Sequence, residues 1–357
     1  MSYQEKAEKP FLIYDQTEGY MVYVPEVREH STGVSWKNGS QGKKVALDQF
    51  YVAKPKKDTA ETMNAALASG KNLLLTPGIY DLTEPIIVDH PDTIVLGMGF
   101  ATLRSTAGNC CMETGDVTGL IVAGLLFDAG EKKSDNLLIV GKDVQRTEQE
   151  TGNIYLSDLF FRVGGTDTQT PTSTKCCATI HSSHVIGDNF WVWRADHGDQ
   201  VAWDKNVAEN GIIINGDDVT MYALMVEHFE QYQTIWNGNN GKVFMYQSEI
   251  PYDVPSQDVW ISHEGKKNGY ASFYVDDAVD TFEAWGLGVY LYNRDAAVNL
   301  DTAMEVPDKT GVKVHNICTV MLVGYPGMSH IINGVGEAVT SAGERHVICE
   351  YENGLLK

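Results

Sequence analysis

The sequence predicts an all-β protein, a single-stranded right-handed parallel β-helix with a short capping helix at its N-terminal end. Three observations predict it. Short apolar strands recur from residue 72 onward, with turns between them and no further long helical period. Five of these segments overlay at intervals of roughly 22 to 34 residues, as coils do when loops are inserted into some of their turns. One short, capped helix stands just before the first strand of the series, where the end of a solenoid has to be covered. A two-sheet sandwich also gives short strands at regular intervals; the helix and the irregular insertions favour the solenoid.

Taken in order, residues 10–36 read as extended: Phe11-Leu12-Ile13-Tyr14, then Tyr20-Met21-Val22-Tyr23-Val24, with Trp36 beyond. Lys43-Lys44 and the stretch from Lys54 to Lys57 read as a polar linker. Residues 1–50 are therefore expected to be an extended segment packed on a solenoid domain of residues 51–357. Asp58, with Glu61 three residues on, has the capping-box pattern; it begins a helix over 59–69 that Gly70 is placed to end. Strands follow at Asn72-Leu73-Leu74-Leu75, Ile86-Ile87-Val88 and Thr93-Ile94-Val95-Leu96. The overlaid segments begin at Val117, Thr151, His184, Asp217 and Lys242. About eight Asn-Gly pairs, among them Asn215-Gly216, Asn237-Gly238 and Asn240-Gly241, mark tight turns with positive φ.

Composition narrows the function. Of 357 residues 43% are hydrophobic, with 34 glycines and 17 tyrosines, which suits a β-rich globular chain and excludes a disordered one. A net charge of −21 opposes binding to nucleic acid or anionic membranes and disfavours polyanionic glycans, leaving a neutral ligand as the easier fit. No apolar run is long enough to span a membrane. No secretory leader is visible, so a cytoplasmic setting or a portion of a secreted protein would each suit; Asn38-Gly39-Ser40 is a bare sequon. The adjacent pairs Cys110-Cys111 and Cys176-Cys177 point to opposite faces of a strand and suit buried thiols better than zinc.

Chemistry-bearing residues concentrate in one stretch. Trp191, Trp193, Trp203, Trp236, Trp260 and Trp285 fall there together with Asp196, Glu227, Glu249, Asp253 and Glu283. Aromatic faces stack on apolar sugar surfaces while carboxyls handle protons and hydroxyls, so the stretch reads as a neutral-sugar site. Trp236, Tyr252 and Trp285 are candidate sugar contacts, although any one tryptophan is more readily core. Glu227 and Glu249 stand about one minimal coil apart, and strands about 4.8 Å apart bring both into one groove. Two carboxylates that close repel, and one keeps its proton to higher pH, as a general acid must. Arg194-Ala195-Asp196-His197 mixes base, acid and imidazole at a strand exit, to position a hydroxyl or to form a structural ion pair between Arg194 and Asp196. Asp217-Asp218 reads as turn chemistry. His197 and His228 lack a third ligand, so no metal site is expected, and no phosphate- or dinucleotide-binding motif implies a cofactor.

Residues 58–96 (DTAETMNAALASGKNLLLTPGIYDLTEPIIV, then DTIVLGMG) resemble the entry coil of the pectate-lyase-like β-helix superfamily. Farther on, GDDVTMYALMVEHFEQYQTIWNGNNGKVFMYQSEIPYDVPSQ and TFEAWGLGVY resemble the second β-helix of glycoside hydrolase family 55, the exo-β-1,3-glucanases. The resemblance implies inverting hydrolysis of a β-1,3-glucan, with Glu249 as general acid and Glu227 as the second carboxylate near the attacking water. It also implies a cleft between two β-helices, of which this chain has length for one. A partner chain or a second copy completing the cleft, a shorter open cleft, or lost activity would each follow. The competing expectations are a non-catalytic carbohydrate-binding or assembly protein and, less favoured by the acidic stretch, a polysaccharide lyase.

Overall fold

The computed structural model describes residues 3–33, 41–142, 152–166 and 169–356. Along most of the chain each strand pairs, in parallel, with the next strand but one in sequence, building a 13-stranded and an 8-stranded sheet among the described residues. Ile121–Asp128, Ile154–Val163, Val185–Arg194, Thr220–Glu227, Gly241–Glu249 and Phe282–Tyr292 are successive rungs of the larger sheet. Ser134–Val140, Thr174–Ile180 and Ala208–Ile214 alternate with them in the smaller one. The five overlaid segments all fall on rungs of the same sheet, in register. At the far end Arg345–Glu352 pairs antiparallel with Val312–Val323, which ends the parallel series.

Midway along each of these rungs one residue adopts left-handed backbone. The column runs Gly124, Asp158, Asn189, Ala223, Met245, Gly286 and Asn316. Glycine, aspartate and asparagine tolerate that region, whereas Ala223 and Met245 hold it at a steric cost of roughly 1 kcal/mol or more. The bend folds the large sheet into two faces, so residues before and after it look outward in different directions. Inward-facing residues stack instead. Leu125, Leu159, Phe190, Leu224 and Tyr246 form one column, and the Phe127 and Phe161 rings lie parallel with centroids 4.9 Å apart. All are buried, each contributing about 1.5 to 3 kcal/mol for a side chain of this size.

Several local expectations need correcting. The helix spans Ala60–Ala68, and its N-cap is Thr59, which exchanges hydrogen bonds with Thr62. Asp58 lies one residue too early, and its carboxylate instead accepts from the Tyr51 hydroxyl and the Lys54 amide. Ala60, Met63 and Leu67 turn into the core, and Gly70 ends the helix at φ 83°. Lys43-Lys44 is not linker: Gly42–Ala46 pairs with Gly19–Pro25, which pairs with Phe11–Asp15. Val22, Val24 and Val45 of that small sheet pack on Leu74, Ile94, Leu96 and Ala123 of the coils. Trp36 and Asn38-Gly39-Ser40 lie outside the described residues.

The Asn-Gly turns differ in kind: at Asn240-Gly241 only the asparagine has positive φ, and at Asn268-Gly269 only the glycine. At Asn333-Gly334 and Asn353-Gly354 both residues have positive φ, as expected. At Asn215-Gly216 and Asn237-Gly238 neither does; glycine is required by contact with the preceding coil. A Cβ on Gly238 would lie 1.7 Å from the Gly216 carbonyl oxygen, and one on Gly216 1.8 Å from that of Ser182. Asn237 donates to the Asn215 side chain at 2.7 Å, an asparagine ladder along the turns. Cys111, Cys176 and Cys177 are buried free thiols, and burial pushes Cys176 up to about 12.

Candidate active site

Beyond the bend, alternate residues of each rung point outward, and register lines them up along the solenoid. One column reads Trp193, Glu227, Glu249, Tyr290; its neighbour reads Phe160, Trp191, Met225, Gln247, Gly288. Glu227 and Glu249 are direct register partners at the ends of adjacent strands. At the next rung Gly288 has no side chain, so the surface beside Tyr290 stays low. The result is a carboxylate pair flanked by aromatic rings. Trp191, 43% exposed, stacks against Trp193 at 5.6 Å.

The strand exits supply the rest of the site. Glu227 Oε2 accepts from Trp191 Nε1 at 2.9 Å. Glu249 Oε1 accepts from Gln247 Nε2 at 3.3 Å, and its Oε2 accepts from the Tyr252 hydroxyl. From the exit of the Trp193 strand, Asp196 Oδ1 lies 2.9 Å from His197 Nδ1. His228, directly after Glu227, is buried with φ 68°, its ring edge-on to Tyr252 at 4.4 Å. Its Nε2 stands 3.8 Å from Asp196 Oδ1 and 3.9 Å from Glu249 Oε2.

The electrostatics separate these groups. Burial, reinforced by the charges of Glu227 and Asp196, pushes Glu249 up to about 7. Burial also raises Glu227, opposed by the hydrogen bonds of Trp191 and Gln247. Burial holds the His228 imidazole down to about 4, so the ring is neutral at neutral pH. Burial disfavours the Asp196 carboxylate as well, but the charge that His228 carries in the acid range, with the hydrogen bond of His197, outweighs it and holds Asp196 below its ordinary range. Carboxyls pushed apart in this way suit one proton donor beside one ionised acceptor.

Of the residues singled out in the sequence, Glu249, Glu227, Asp196, His197 and Tyr252 come together here. Arg194 and Asp253 lie underneath, sealed from solvent and paired with each other: Arg194 Nη1 and Nη2 donate to the two Asp253 carboxylate oxygens at 2.9 Å each. The ion pair expected between Arg194 and Asp196 is thus made with Asp253, and neither partner is open to a sugar. Trp236 is fully buried among Phe273 and Phe282, with its indole N–H satisfied by the Gly238 carbonyl. Glu283 and Trp285 precede the Gly286 bend and face another side, where Glu283 bonds His315 and Trp285 stacks between Phe244 and His315. Trp191 and Trp193 belong to the aromatic stretch noted in the sequence but were not singled out there, and His228 and Tyr290 were missed as site residues; extending the register column by one rung on either side of the two glutamates finds Trp193 and Tyr290. Among the described residues no cluster suits a metal ion, and no helix is long and apolar enough to cross a membrane.

Comparison with known proteins finds relatives over most of the chain. The family model of the LAM55 pectate-lyase-like domain matches residues 50–249, a span that ends on Glu249. Over 332 residues the chain is 42% identical to an exo-β-1,3-glucanase of Streptomyces sp. (strain SirexAA-E / ActE), covering 92% of this chain and 54% of that one. The solved structure of sacteLam55A from Streptomyces sp. SirexAA-E superposes with a TM-score of 0.93 at 39% identity, over 98% of this chain and 63% of the other. A glutamate-to-alanine variant of sacteLam55A, solved in complex with glucose, matches equally well. The chain spans about half the length of the glucanase it matches.

Proposed function

Because this chain belongs to the LAM55 pectate-lyase-like family, that of the glycoside hydrolase family 55 glucanase it resembles, we propose that it hydrolyses a β-1,3-linked glucan with inversion, Glu249 acting as general acid. The observation that carries the reading is the register pairing of Glu227 with Glu249 on an outward face, where burial pushes Glu249 up to about 7. The scaffold is taken as a right-handed, single-stranded solenoid, the hand that parallel crossovers overwhelmingly adopt. The Ala60–Ala68 helix caps it, and residues 1–50 pack on a domain of residues 51–357.

A sugar ring stacks in the groove on Trp191 and Trp193, and Glu249 gives its proton to the glycosidic oxygen as the bond to the anomeric carbon breaks. Water attacks that carbon from the opposite side and passes a proton to the Glu227 or Asp196 carboxylate. Inversion needs the two carboxyls about 6.5 to 9.5 Å apart, more than the roughly 4.8 Å between rungs. Hydrogen bonds draw the heads apart in this direction: Glu227 toward Trp191 on the rung before it, Glu249 toward Tyr252 in the loop after it. The occupant is a neutral glucan, since three carboxyls line the site of a chain with net charge −21.

The test is digestion of laminarin-type oligosaccharides followed by proton NMR of the first product. The α-anomer is expected, and Glu249→Gln is expected to lower the rate on the order of 10²- to 10⁴-fold while leaving the fold intact. The β-anomer appearing first removes the inverting assignment. Tight oligosaccharide binding without turnover by the native chain removes the hydrolase.

A further inference from the structure

His228 is buried and strained, and its backbone and ring Nδ1 are all bonded. Its φ of 68° is a conformation that a histidine adopts at a cost of about 1 to 3 kcal/mol, and such residues persist where the surroundings fix them. The surroundings do fix it. The His228 N–H donates to the Glu249 carbonyl at 2.8 Å, and its own carbonyl accepts from Arg194 at 3.1 Å. Ring Nδ1 faces the Ile250 carbonyl at 3.4 Å. A carbonyl can only accept, so a neutral ring in this position carries its hydrogen on Nδ1. That leaves Nε2 as a bare lone pair, held 3.8 Å from Asp196 and 3.9 Å from Glu249.

A lone pair between two ionised carboxylates is repelled from both sides; the arrangement is favourable when one of them is protonated. Asp196 is engaged by His197 at 2.9 Å, and the Asp196 carbonyl by Arg294 at 2.7 Å. Glu249 has Glu227 as its register partner, and that second carboxylate disfavours its charge. An imidazolium is disfavoured by burial and by the neighbouring Arg194 guanidinium, against the attraction of Asp196 and Asp253. We infer that His228 is a positioning residue whose Nε2 lone pair keeps the acid proton on Glu249, so that the carboxyl is loaded when substrate arrives. The inference rests on Glu249 being the general acid. At 3.9 Å the contact is electrostatic; catalytic hydrogen bonds are often this long before substrate binds.

The basic limb of the kcat/KM pH profile reads this directly, because it reports the acid of the free enzyme. Asparagine accepts left-handed backbone and can keep a contact with Ile250, but it lacks the atoms that reach toward Glu249. His228→Asn is expected to move the basic limb to lower pH by about one unit, a tenfold loss on the alkaline side. His228→Gln, whose carbonyl oxygen reaches near the former Nε2, is expected to restore most of the shift. A uniform fall in rate with the limb unmoved, or a limb moved to higher pH, overturns the inference. Should neither variant fold, imidazole ¹⁵N shifts of the wild-type protein decide: a hydrogen on Nδ1 and a bare Nε2 are expected from pH 5 to 8, and the opposite tautomer or an imidazolium overturns it. Full activity in Glu249→Gln would instead remove Glu249 as the general acid, and this inference with it, while leaving a hydrolase whose acid lies elsewhere.

Discussion

Trp191 donates its indole N–H to Glu227, and that bond opposes the burial that raises the Glu227 carboxyl. Trp191→Phe keeps an aromatic face but removes the donor, so Glu227 would bind its proton more tightly. With Glu227 receiving the proton of the attacking water, the acidic limb of the activity profile is expected to move to higher pH, with kcat/KM falling about tenfold below pH 6. An unmoved acidic limb would take Glu227 out of that role. Arg194 is different in kind. Its donors go to Asn206, His228 and Ala202 carbonyls and to both Asp253 oxygens. Arg194→Met strands a buried Asp253 and is expected to destabilise by about 3 to 5 kcal/mol in urea unfolding, whereas Arg194→Met with Asp253→Leu should recover much of it. The glutamate pair was legible in the sequence because one coil period separates its members, and a solenoid turns period into adjacency. The Arg194–Asp253 pair was not, because its partners are two rungs apart and Asp196 lies temptingly close in sequence.

At the scale of strands and turns, the sequence shows where coils repeat but hides where they bend. Phe282–Tyr292 alternates buried and outward residues until Gly286, then resumes in a new phase on another face. At the equivalent places Ala223 and Met245 look like ordinary strand residues, so nothing in the pattern separates Trp285 from Tyr290. Grouping Glu283 and Trp285 with Glu249 followed from that hidden bend. The turns carry the opposite lesson, since Asn-Gly marked them correctly but for a different physical reason. Gly238→Ala puts a methyl 1.7 Å from the Gly216 carbonyl oxygen, which neither φ nor a side-chain rotation relieves. It is expected to cost several kcal/mol, on the scale of strained or overpacked sites, and to lower the melting temperature beyond what Gly265→Ala does on an open turn, where a Cβ meets nothing and only the positive φ of 85° is strained. Equal melting temperatures for the two variants would show that the stacked turns yield more readily than their spacing implies.

For the molecule as a whole, the raised carboxyls set how stability depends on pH. Burial pushes Asp188 up to about 6 beneath the N-terminal segment, where the charge of Lys6 only partly offsets it. It pushes Glu230 up to about 7 despite Arg194, and Glu249 to about 7. Each holds more protons folded than unfolded between its ordinary range and these values, so each contributes stability at low pH that is lost as pH rises toward 7. His228, held down to about 4, acts in the other direction between pH 4 and its ordinary value, but it is one group against three. Below pH 4 the sign reverses, because Asp15 and Glu344 sit near 2 through backbone hydrogen bonds and lose that contribution as they protonate. The net charge of −21 adds self-repulsion that grows as pH rises. Calorimetry from pH 3 to 9 is therefore expected to place the highest melting temperature near pH 5, a few degrees above that at pH 8, and Glu230→Gln should narrow the gap. A melting temperature that climbs from pH 5 to 8 would mean that these buried carboxyls ionise freely, and a freely ionised Glu249 has no proton to give a glycosidic oxygen.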